Sequence, residues 1–249
     1  MNQRVHGLKC WLEAGLSFFY PEVCQTCGNE RATAQDGFIG ARCLENVKYI
    51  TSPYCQRCGL PFEGDITTPF ECGNCREMEL HFSHARSVVA AKGMVLEVIH
   101  QYKYKRALWF EPFLAGLLIQ HAAPVLQQEK WEMIVPVPLH YLKQSEREFN
   151  QAERLSRQLG AASGIGVYTR ALKRVEPTRT QTKLSRTERA ANVRRAFSLQ
   201  KGASLQDKRI VLVDDVFTTG ATTSACAKAL LDGGASEVCV WTVARGLLR

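Results

Sequence analysis

The chain has 249 residues and an ordinary apolar content of 45%, which is enough for one large domain or for a medium domain with a smaller module. No segment is apolar and long enough to span a bilayer, and the charges of Lys9 and Glu13 within residues 8–20 exclude a secretory signal there. These features predict a cytoplasmic protein without membrane insertion. In that reducing compartment, paired cysteines are metal ligands rather than disulfides.

The net charge of +8 is distributed unevenly along the chain. Residues 1–80 carry a net charge of −3, whereas residues 81–249 carry +11. A basic region suits a polyphosphate ligand or a nucleic acid, and it is also the ordinary composition of a solvated surface. Charge alone therefore does not identify the ligand.

The cysteines are clustered, since eight of the ten lie within the first 75 residues, which predicts a separate cysteine-rich module over residues 1–80 and a second domain over residues 81–249. Two Cys-x-x-Cys knuckles with adjacent glycines, thirteen residues apart, predict a closed tetrahedral site for a structural zinc ion. The predicted ligands are Cys55, Cys58, Cys72 and Cys75. No general base accompanies the cluster, so the expected role of zinc is to stabilise the folded module.

A second, incomplete ribbon precedes this one. It contains Cys24, Cys27 and Cys43, and the expected fourth position, 46, is an asparagine. Three thiolates could hold zinc with a fourth ligand from elsewhere, such as Cys10 or a histidine, or the site could be empty. The sequence leaves both alternatives open.

Apolar strands alternate with helical segments in the remainder of the chain. Strands are predicted at 85–91, 133–138, 210–213 and 238–243, and helices at 94–101, 113–122, 151–159 and 224–231. This alternation is typical of an α/β fold with a doubly wound, mainly parallel sheet.

A run of thirteen residues, 211–223, carries the strongest functional signal. An apolar strand is followed by Asp214 and Asp215, then by a small turn, and then by a helix. The amides of such a turn and the positive end of the helix dipole bind phosphate, and the two carboxylates suit ribose hydroxyls. The pattern predicts a sugar-phosphate site at the carboxyl end of a strand. Its phosphate-binding residues are Thr218, Thr219, Gly220, Ala221 and Thr222.

This run resembles the phosphoribosyl-pyrophosphate (PRPP) motif of type I phosphoribosyltransferases. Together with the tandem cysteine ribbon and the segments Tyr-Lys-Tyr-Lys, Val-Pro-Val-Pro-Leu and Arg-x-Phe-Asn-Gln, it occurs in the same order in the ComF family. The chain resembles that family over nearly all of residues 20–245. The resemblance implies a type I phosphoribosyltransferase-like fold and a role in natural competence and DNA uptake in bacteria.

The resemblance also implies roles for individual residues. PRPP would bind with Mg²⁺, which is held mostly by ligand oxygens and water. Asp214 and Asp215 would hold the ribose hydroxyls. A polar stretch at 178–193 would form a flap that excludes water, with Arg179 and Gln181 near the reacting centre. Further PRPP contacts would come from Lys103, Pro138, Leu139 and Arg147.

One residue departs from the family pattern. The segment is commonly Arg-Gly-Phe-Asn-Gln in the ComF family, and Glu148 stands in place of the glycine. If the backbone needs a positive φ at this position, the glutamate is strained, because a Cβ disfavours that conformation.

Three functions remain open: a transferase acting on an unknown nitrogen base, a module that binds single-stranded DNA, and a regulator that senses PRPP. Binding of a single strand uses aromatic side chains on which bases stack. The nearest aromatic candidates, Phe197, Tyr102 and Tyr104, are expected to pack inside the protein instead. Single-stranded DNA and other DNA-uptake proteins are the expected partners besides PRPP.

Overall fold

The computed structural model of this chain describes residues 22–64, 66, 68–139, 146–175, 196–200 and 204–247. The helices are α1 (Ala41–Glu45), α2 (Gly73–Glu77), α3 (Gly93–Tyr104), α4 (Glu111–Gln128), α5 (Gln151–Ser163) and α6 (Ala221–Asp232), and a 3₁₀ turn spans Leu108–Phe110. The strands are β1 (Ala85–Ala90), β2 (Met133–Pro136), β3 (Gly166–Val167), β4 (Leu172–Arg174), β5 (Phe197–Leu199), β6 (Arg209–Phe217) and β7 (Glu237–Arg245). Within the described ranges, no helix is both long enough and apolar enough to cross a membrane.

Five strands form one parallel sheet in the order β1-β7-β6-β2-β3. The longest pairing joins β6 to β7 and runs from Arg209↔Glu237 to Phe217↔Arg245. The four longer strands are those that the apolar runs predict. They are almost continuously buried, as expected for a parallel sheet that is covered on both faces. The predicted mainly parallel α/β fold is confirmed.

The two faces of the sheet have separate cores, because successive side chains of a strand point to opposite sides. Val211 and Val213 of β6 pack with α3, α4 and α5. Ile210 and Leu212 pack with α6 and with the antiparallel β4–β5 hairpin. Helices therefore cover both faces, which makes the sheet doubly wound, as predicted.

The two cysteine ribbons contact different faces of this sheet. Ile39 and Val47 of the first ribbon belong to the core on the α4 side, whereas the cysteines of the second ribbon belong to the core on the α6 side. At Gly37 φ is +60°, and a Cβ would lie 2.6 Å from the backbone nitrogen of Phe113, so the first ribbon approaches α4 too closely for a side chain there. The boundary between modules at residue 80 stays a prediction.

The order of the strands determines where a ligand can bind. From β2 the chain passes through α5 to β3 at one side, and from β6 it passes through α6 to β7 at the other side. Because β2 and β6 are neighbours, their connections diverge and leave a crevice at the carboxyl ends of these two strands. Open α/β sheets bind ligands at such a switch point.

Candidate functional site

The two predicted carboxylates lie at the carboxyl end of β6, beside this crevice. β6 pairs with β2 as far as Val213, but it pairs with β7 as far as Phe217. Asp214 and Asp215 therefore lie within β6, past the end of β2, and the strand does not stop at residue 213 as the apolar run suggests. The strand is longer because β7 provides hydrogen-bond partners for the polar residues.

The carboxylates differ in their electrostatic surroundings. Asp215 is 3% exposed, and Nζ of Lys103, from the last turn of α3, forms an ion pair with its Oδ2. Oδ1 of Asp214 accepts a hydrogen bond from the Asp215 amide at 2.9 Å. Burial and the charge of Asp215 raise the pKa of Asp214 well above its usual range, although Lys103 opposes this shift. Asp215 is thus paired with a lysine. Asp214 would be stabilised more than Asp215 by a hydrogen-bond donor from a ligand.

Arg174 in β4 adds positive charge that the sequence pattern did not indicate. Its guanidinium lies over the Phe197 ring, 5.4 Å from the centroid. Burial lowers the pKa of Arg174, and the charge of Asp214 opposes that shift, so the two groups are within electrostatic reach. In the sequence, β4 precedes the predicted flap and β5 follows it. Arg179 and Gln181, which were predicted near the reacting centre, lie outside the described residues.

Gly220 shapes the turn after β6. Its φ is +84°, and a Cβ there would lie 2.6 Å from the ring of Phe217. Both the backbone angle and the neighbouring ring therefore require glycine. The Gly220 carbonyl accepts hydrogen bonds from the Ser224 amide at 2.8 Å and from the Thr223 hydroxyl at 3.0 Å, and these bonds start helix α6.

The turn offers donors that the protein itself does not use. Thr218 and Thr219 are exposed, and the amides of Thr219 and Gly220 meet no acceptor among the described residues. Ala221 and Thr222 begin α6, and the dipole of this helix creates a positive potential at this end. Hydroxyls, amides and dipole together suit a phosphate group.

Arg245, at the end of β7, holds the turn in place and was not predicted. It is 2% exposed, and its guanidinium donates to the carbonyls of Phe217 at 3.2 Å and Thr218 at 2.5 Å. The same group donates to the carbonyl of Cys58 at 3.3 Å and to its Sγ at 3.6 Å. A single buried arginine therefore links the second ribbon to the candidate phosphate turn. An arginine that ends an otherwise apolar strand is the sequence signal that could have identified it.

The second ribbon brings its four predicted ligands together. Sγ of Cys75 lies 3.8 Å from that of Cys55 and 3.5 Å from that of Cys72, and the Cys58–Cys72 distance is 3.7 Å. A tetrahedral site with zinc–sulfur bonds of about 2.3 Å requires sulfur atoms about 3.8 Å apart. All four side chains are buried. The residues fit a structural zinc ion, as predicted.

The first ribbon also gathers four candidate ligands within 4.8 Å of one another. They are Cys24, Cys27, Glu30 and Cys43. The prediction that position 46 is the site of the missing ligand is wrong, because Asn46 is the C-cap residue of α1, where its Nδ2 donates to the Arg42 carbonyl at 2.9 Å. Among the described residues no histidine joins this group, and Cys10 lies outside them.

The loop after β2 carries the other predicted PRPP contacts. Pro138 and Leu139 follow the end of β2 after one intervening residue and are partly buried. Arg147 is 9% exposed, and its guanidinium lies over the Tyr104 ring at 4.8 Å and donates to Gln151 at 3.1 Å. Arg147 therefore packs against the end of α3, the helix that supplies the lysine of the ion pair. Residues 140–145 lie outside the described ranges.

Glu148 has the backbone conformation that favours glycine, with a φ of +65°. Its carboxylate forms an ion pair with Arg106 at 2.9 Å, and both side chains are more than half exposed. The chain then enters α5 at Asn150, which caps the helix and donates to the Val137 carbonyl at 3.1 Å. The segment thus needs a positive φ where this chain has glutamate.

We expect Glu148→Gly to raise the free energy of unfolding by about 0.5–1 kcal/mol, because glycine relieves the left-handed strain. Loss of the exposed ion pair with Arg106 removes about 0–1 kcal/mol and therefore offsets part of this gain. Urea denaturation followed by circular dichroism measures the change. The control is Glu148→Gln, which removes the charge but keeps the Cβ. An equal gain in the glutamine variant would show that charge, rather than backbone strain, is responsible.

The chain is similar to several known proteins. A family model described as a double zinc ribbon domain matches residues 15–77. Competence protein F of Haemophilus influenzae is 32% identical over 91% of this chain and 98% of its own length. DNA utilization protein YhgH of Escherichia coli strain K12 is 30% identical over 98% of this chain and 99% of its own length. Among solved structures, a purine phosphoribosyltransferase from Pyrococcus horikoshii is 18% identical over 53% of this chain and 83% of that chain, with a TM-score of 0.35.

Proposed function

Because the chain belongs to the ComF family, we propose that it binds PRPP in the crevice between β2 and β6 and acts in bacterial competence or DNA utilization, the roles for which its relatives are named. We also propose that it works in the cytoplasm and transfers phosphoribose from PRPP to an acceptor molecule.

One observation carries the proposal for PRPP. Two adjacent carboxylates and a glycine turn lie together on the central strand that borders the switch point of a parallel sheet. A ribose 5-phosphate matches this pair of features, because its hydroxyls donate hydrogen bonds and its phosphate accepts them. Asp214 and Asp215 suit the hydroxyls, and the turn at residues 218–222 suits the phosphate.

The transfer needs positioning and charge rather than covalent catalysis by the protein. The acceptor nitrogen forms a bond to C1 of the ribose while the bond from C1 to pyrophosphate breaks. The carboxylates orient the ribose, and Asp214, which is partly buried, is placed to accept a hydrogen bond from a ribose hydroxyl. Arg174 adds positive charge within electrostatic reach of Asp214. Mg²⁺ bound with PRPP would supply positive charge to the pyrophosphate, and oxygens of PRPP and water would be its main ligands.

A second candidate function, binding of single-stranded DNA, is favoured by a group of exposed aromatic and basic side chains after α3. Tyr104 is 68% exposed and Trp109 is 45% exposed, and Lys105 and Arg106 lie between them and are also exposed. Bases stack on such rings, and cationic side chains contact the backbone of the strand. The expectation that Tyr104 is packed inside the protein is therefore wrong.

For the other two aromatic candidates, the expectation that they pack inside the protein is confirmed. Phe197 is 6% exposed and Tyr102 is fully buried. The hydroxyl of Tyr102 donates to Glu111 at 3.1 Å, which gives this ring a structural role. Of the three candidates, only Tyr104, at the end of α3, is therefore available to a single strand.

The decisive experiment measures release of pyrophosphate from PRPP and Mg²⁺ in the presence of free bases, nucleosides or single-stranded DNA. Release that requires one acceptor, and that is lost in Asp214→Asn/Asp215→Asn, supports a transferase and identifies its substrate class. PRPP binding without release supports a sensing role. Absence of PRPP binding, with salt-dependent binding of single-stranded DNA that weakens in Tyr104→Ala, supports the second candidate.

A further inference from the structure

The two ribbons are structural repeats, and their backbone hydrogen bonds align them residue by residue. In the first ribbon, the Gln25 amide donates to the Phe38 carbonyl at 2.9 Å. In the second, the Gln56 amide donates to the Phe70 carbonyl at the same distance. Phe38 in the first ribbon therefore corresponds to Phe70 in the second.

Two residues after these phenylalanines, the second ribbon has the ligand Cys72 and the first ribbon has Gly40. The Gly40 amide donates to Sγ of Cys24, and the Cys72 amide donates to Sγ of Cys55, both at 3.3 Å. Gly40 is the N-cap residue of α1, as Cys72 is the N-cap residue of α2. Gly40 therefore occupies the position of the missing cysteine, and Cys43 corresponds to the second cysteine of its knuckle.

The side chain of a neighbouring residue, rather than the backbone conformation, explains the glycine at position 40. Gly40 has φ −81° and ψ 163°, and Cys72 has φ −70° and ψ 158°, so a cysteine would fit the backbone at either place. A Cβ at Gly40 would overlap the carboxyl group of Glu30. The carboxylate thus fills the volume in which the missing cysteine side chain would lie.

Glu30 is held in this position by the short helix α1. Its Oε2 accepts a hydrogen bond from the Arg42 amide at 3.1 Å, and its Oε1 accepts one from the Cys43 amide at 3.2 Å. The distance from Oε1 to Sγ of Cys27 is 3.7 Å, and Sγ of Cys24 lies 3.6 Å from Sγ of Cys43. These distances are close to the edges of about 3.5–3.8 Å expected for a zinc tetrahedron with mixed oxygen and sulfur ligands.

We propose that Glu30 is the fourth ligand of a second zinc site, formed with Cys24, Cys27 and Cys43 in the first ribbon. Three thiolates and a carboxylate fill all four tetrahedral positions, so the site is a closed structural one, and they supply the same total charge as the four thiolates of the second ribbon. Cys27 is exposed, whereas all four cysteines of the second ribbon are buried, so zinc in the first ribbon exchanges faster. This inference does not depend on the proposed function.

Zinc content of the purified full chain tests the proposal. By mass spectrometry of the metal, the wild-type chain should hold about two zinc ions, and Glu30→Gln and Glu30→Ala should hold about one. Glu30→Ala/Gly40→Cys should regain the second ion, because it recreates the four-cysteine ribbon. In the wild-type chain, release of zinc to a chelator should have a fast and a slow phase, and the glutamate variants should lack the fast phase.

The matched control is Glu45→Gln, since Glu45 lies in α1, the short helix whose amides bind the Glu30 carboxylate, but is exposed and outside the ligand group. It should keep the wild-type zinc content. The ion retained in the second ribbon shows that a glutamate variant is still folded there. A wild-type chain with about one zinc ion, or a glutamine variant that keeps both ions and both release phases, would overturn the proposal.

Discussion

Asp214→Asn/Asp215→Asn is expected to weaken PRPP binding by at least about 100-fold, because each hydrogen bond to a charged carboxylate contributes about 1.5–3 kcal/mol. Isothermal titration calorimetry with PRPP and Mg²⁺ measures the loss. The zinc content should not change, because neither aspartate is in a ligand group. Asp232→Asn is the control, since Asp232 forms an exposed ion pair with Lys228 on α6. Wild-type affinity in the double variant would remove the assignment of the site.

The single variant Asp214→Asn separates binding from folding. Burial raises the pKa of Asp214 in the folded chain, so its ionisation opposes folding at neutral pH. The neutral asparagine should therefore increase the free energy of unfolding at about pH 7. This gain should shrink as the pH falls toward about 4, where the carboxyl group of the unfolded chain also becomes protonated. A variant that is more stable and yet binds PRPP less tightly has lost a ligand contact rather than its fold.

Arg245→Met is expected to lower the free energy of unfolding by about 3–5 kcal/mol, because it leaves several buried or partly buried carbonyl oxygens without their donor. These include the carbonyls of Cys58, Thr218 and Gly246. PRPP binding should weaken as well, since the turn loses the group that holds its first carbonyls. Guanidinium denaturation and calorimetry measure the two effects.

The same variant should also release zinc from the second ribbon more readily. Arg245 donates to Sγ of Cys58, and loss of such a supporting contact lowers metal affinity by about 10–100-fold. Competition with a chelator measures this change. Arg157→Met is the matched control, because Arg157 has an exposed ion pair with Glu153 on α5 that contributes about 0.3–0.5 kcal/mol. Equal destabilisation by both methionine variants would rule out a special role for Arg245.

Features that depend on neighbouring residues could be predicted from the sequence. The apolar runs of β1, β2, β6 and β7 identify a parallel sheet, since each strand is buried on both faces over its own length. The small residues of the turn predict a close backbone approach there. Gly220 has a positive φ and lies too close to an aromatic ring for a side chain. Glu148 lies at a positive φ, the condition under which its replacement of glycine is strained.

Features that depend on distant residues could not be predicted. Position 46 is the expected ligand position only if Cys43 is the first cysteine of a knuckle, whereas hydrogen bonds between separate segments show that Cys43 is the second. The contact of Lys103 with Asp215 joins a helix to a strand more than a hundred residues away, and no local pattern reports it. The role of Arg245 likewise requires the ribbon and the turn to meet in space.

The position of β1 at the edge of the sheet has a consequence for synthesis of the chain. Its sheet partner is β7, and the hydroxyls of Ser87 and Thr242, which are 155 residues apart, are 2.6 Å from each other across this pairing. During synthesis on the ribosome, β1 therefore cannot pair in the sheet until β7 has been translated. Such long-range pairing makes folding slow. Each cysteine ribbon, by contrast, closes between ligands about twenty residues apart. The ribbons can fold as soon as they emerge, and the segment between Cys24 and Cys75 is then ordered before the sheet is complete.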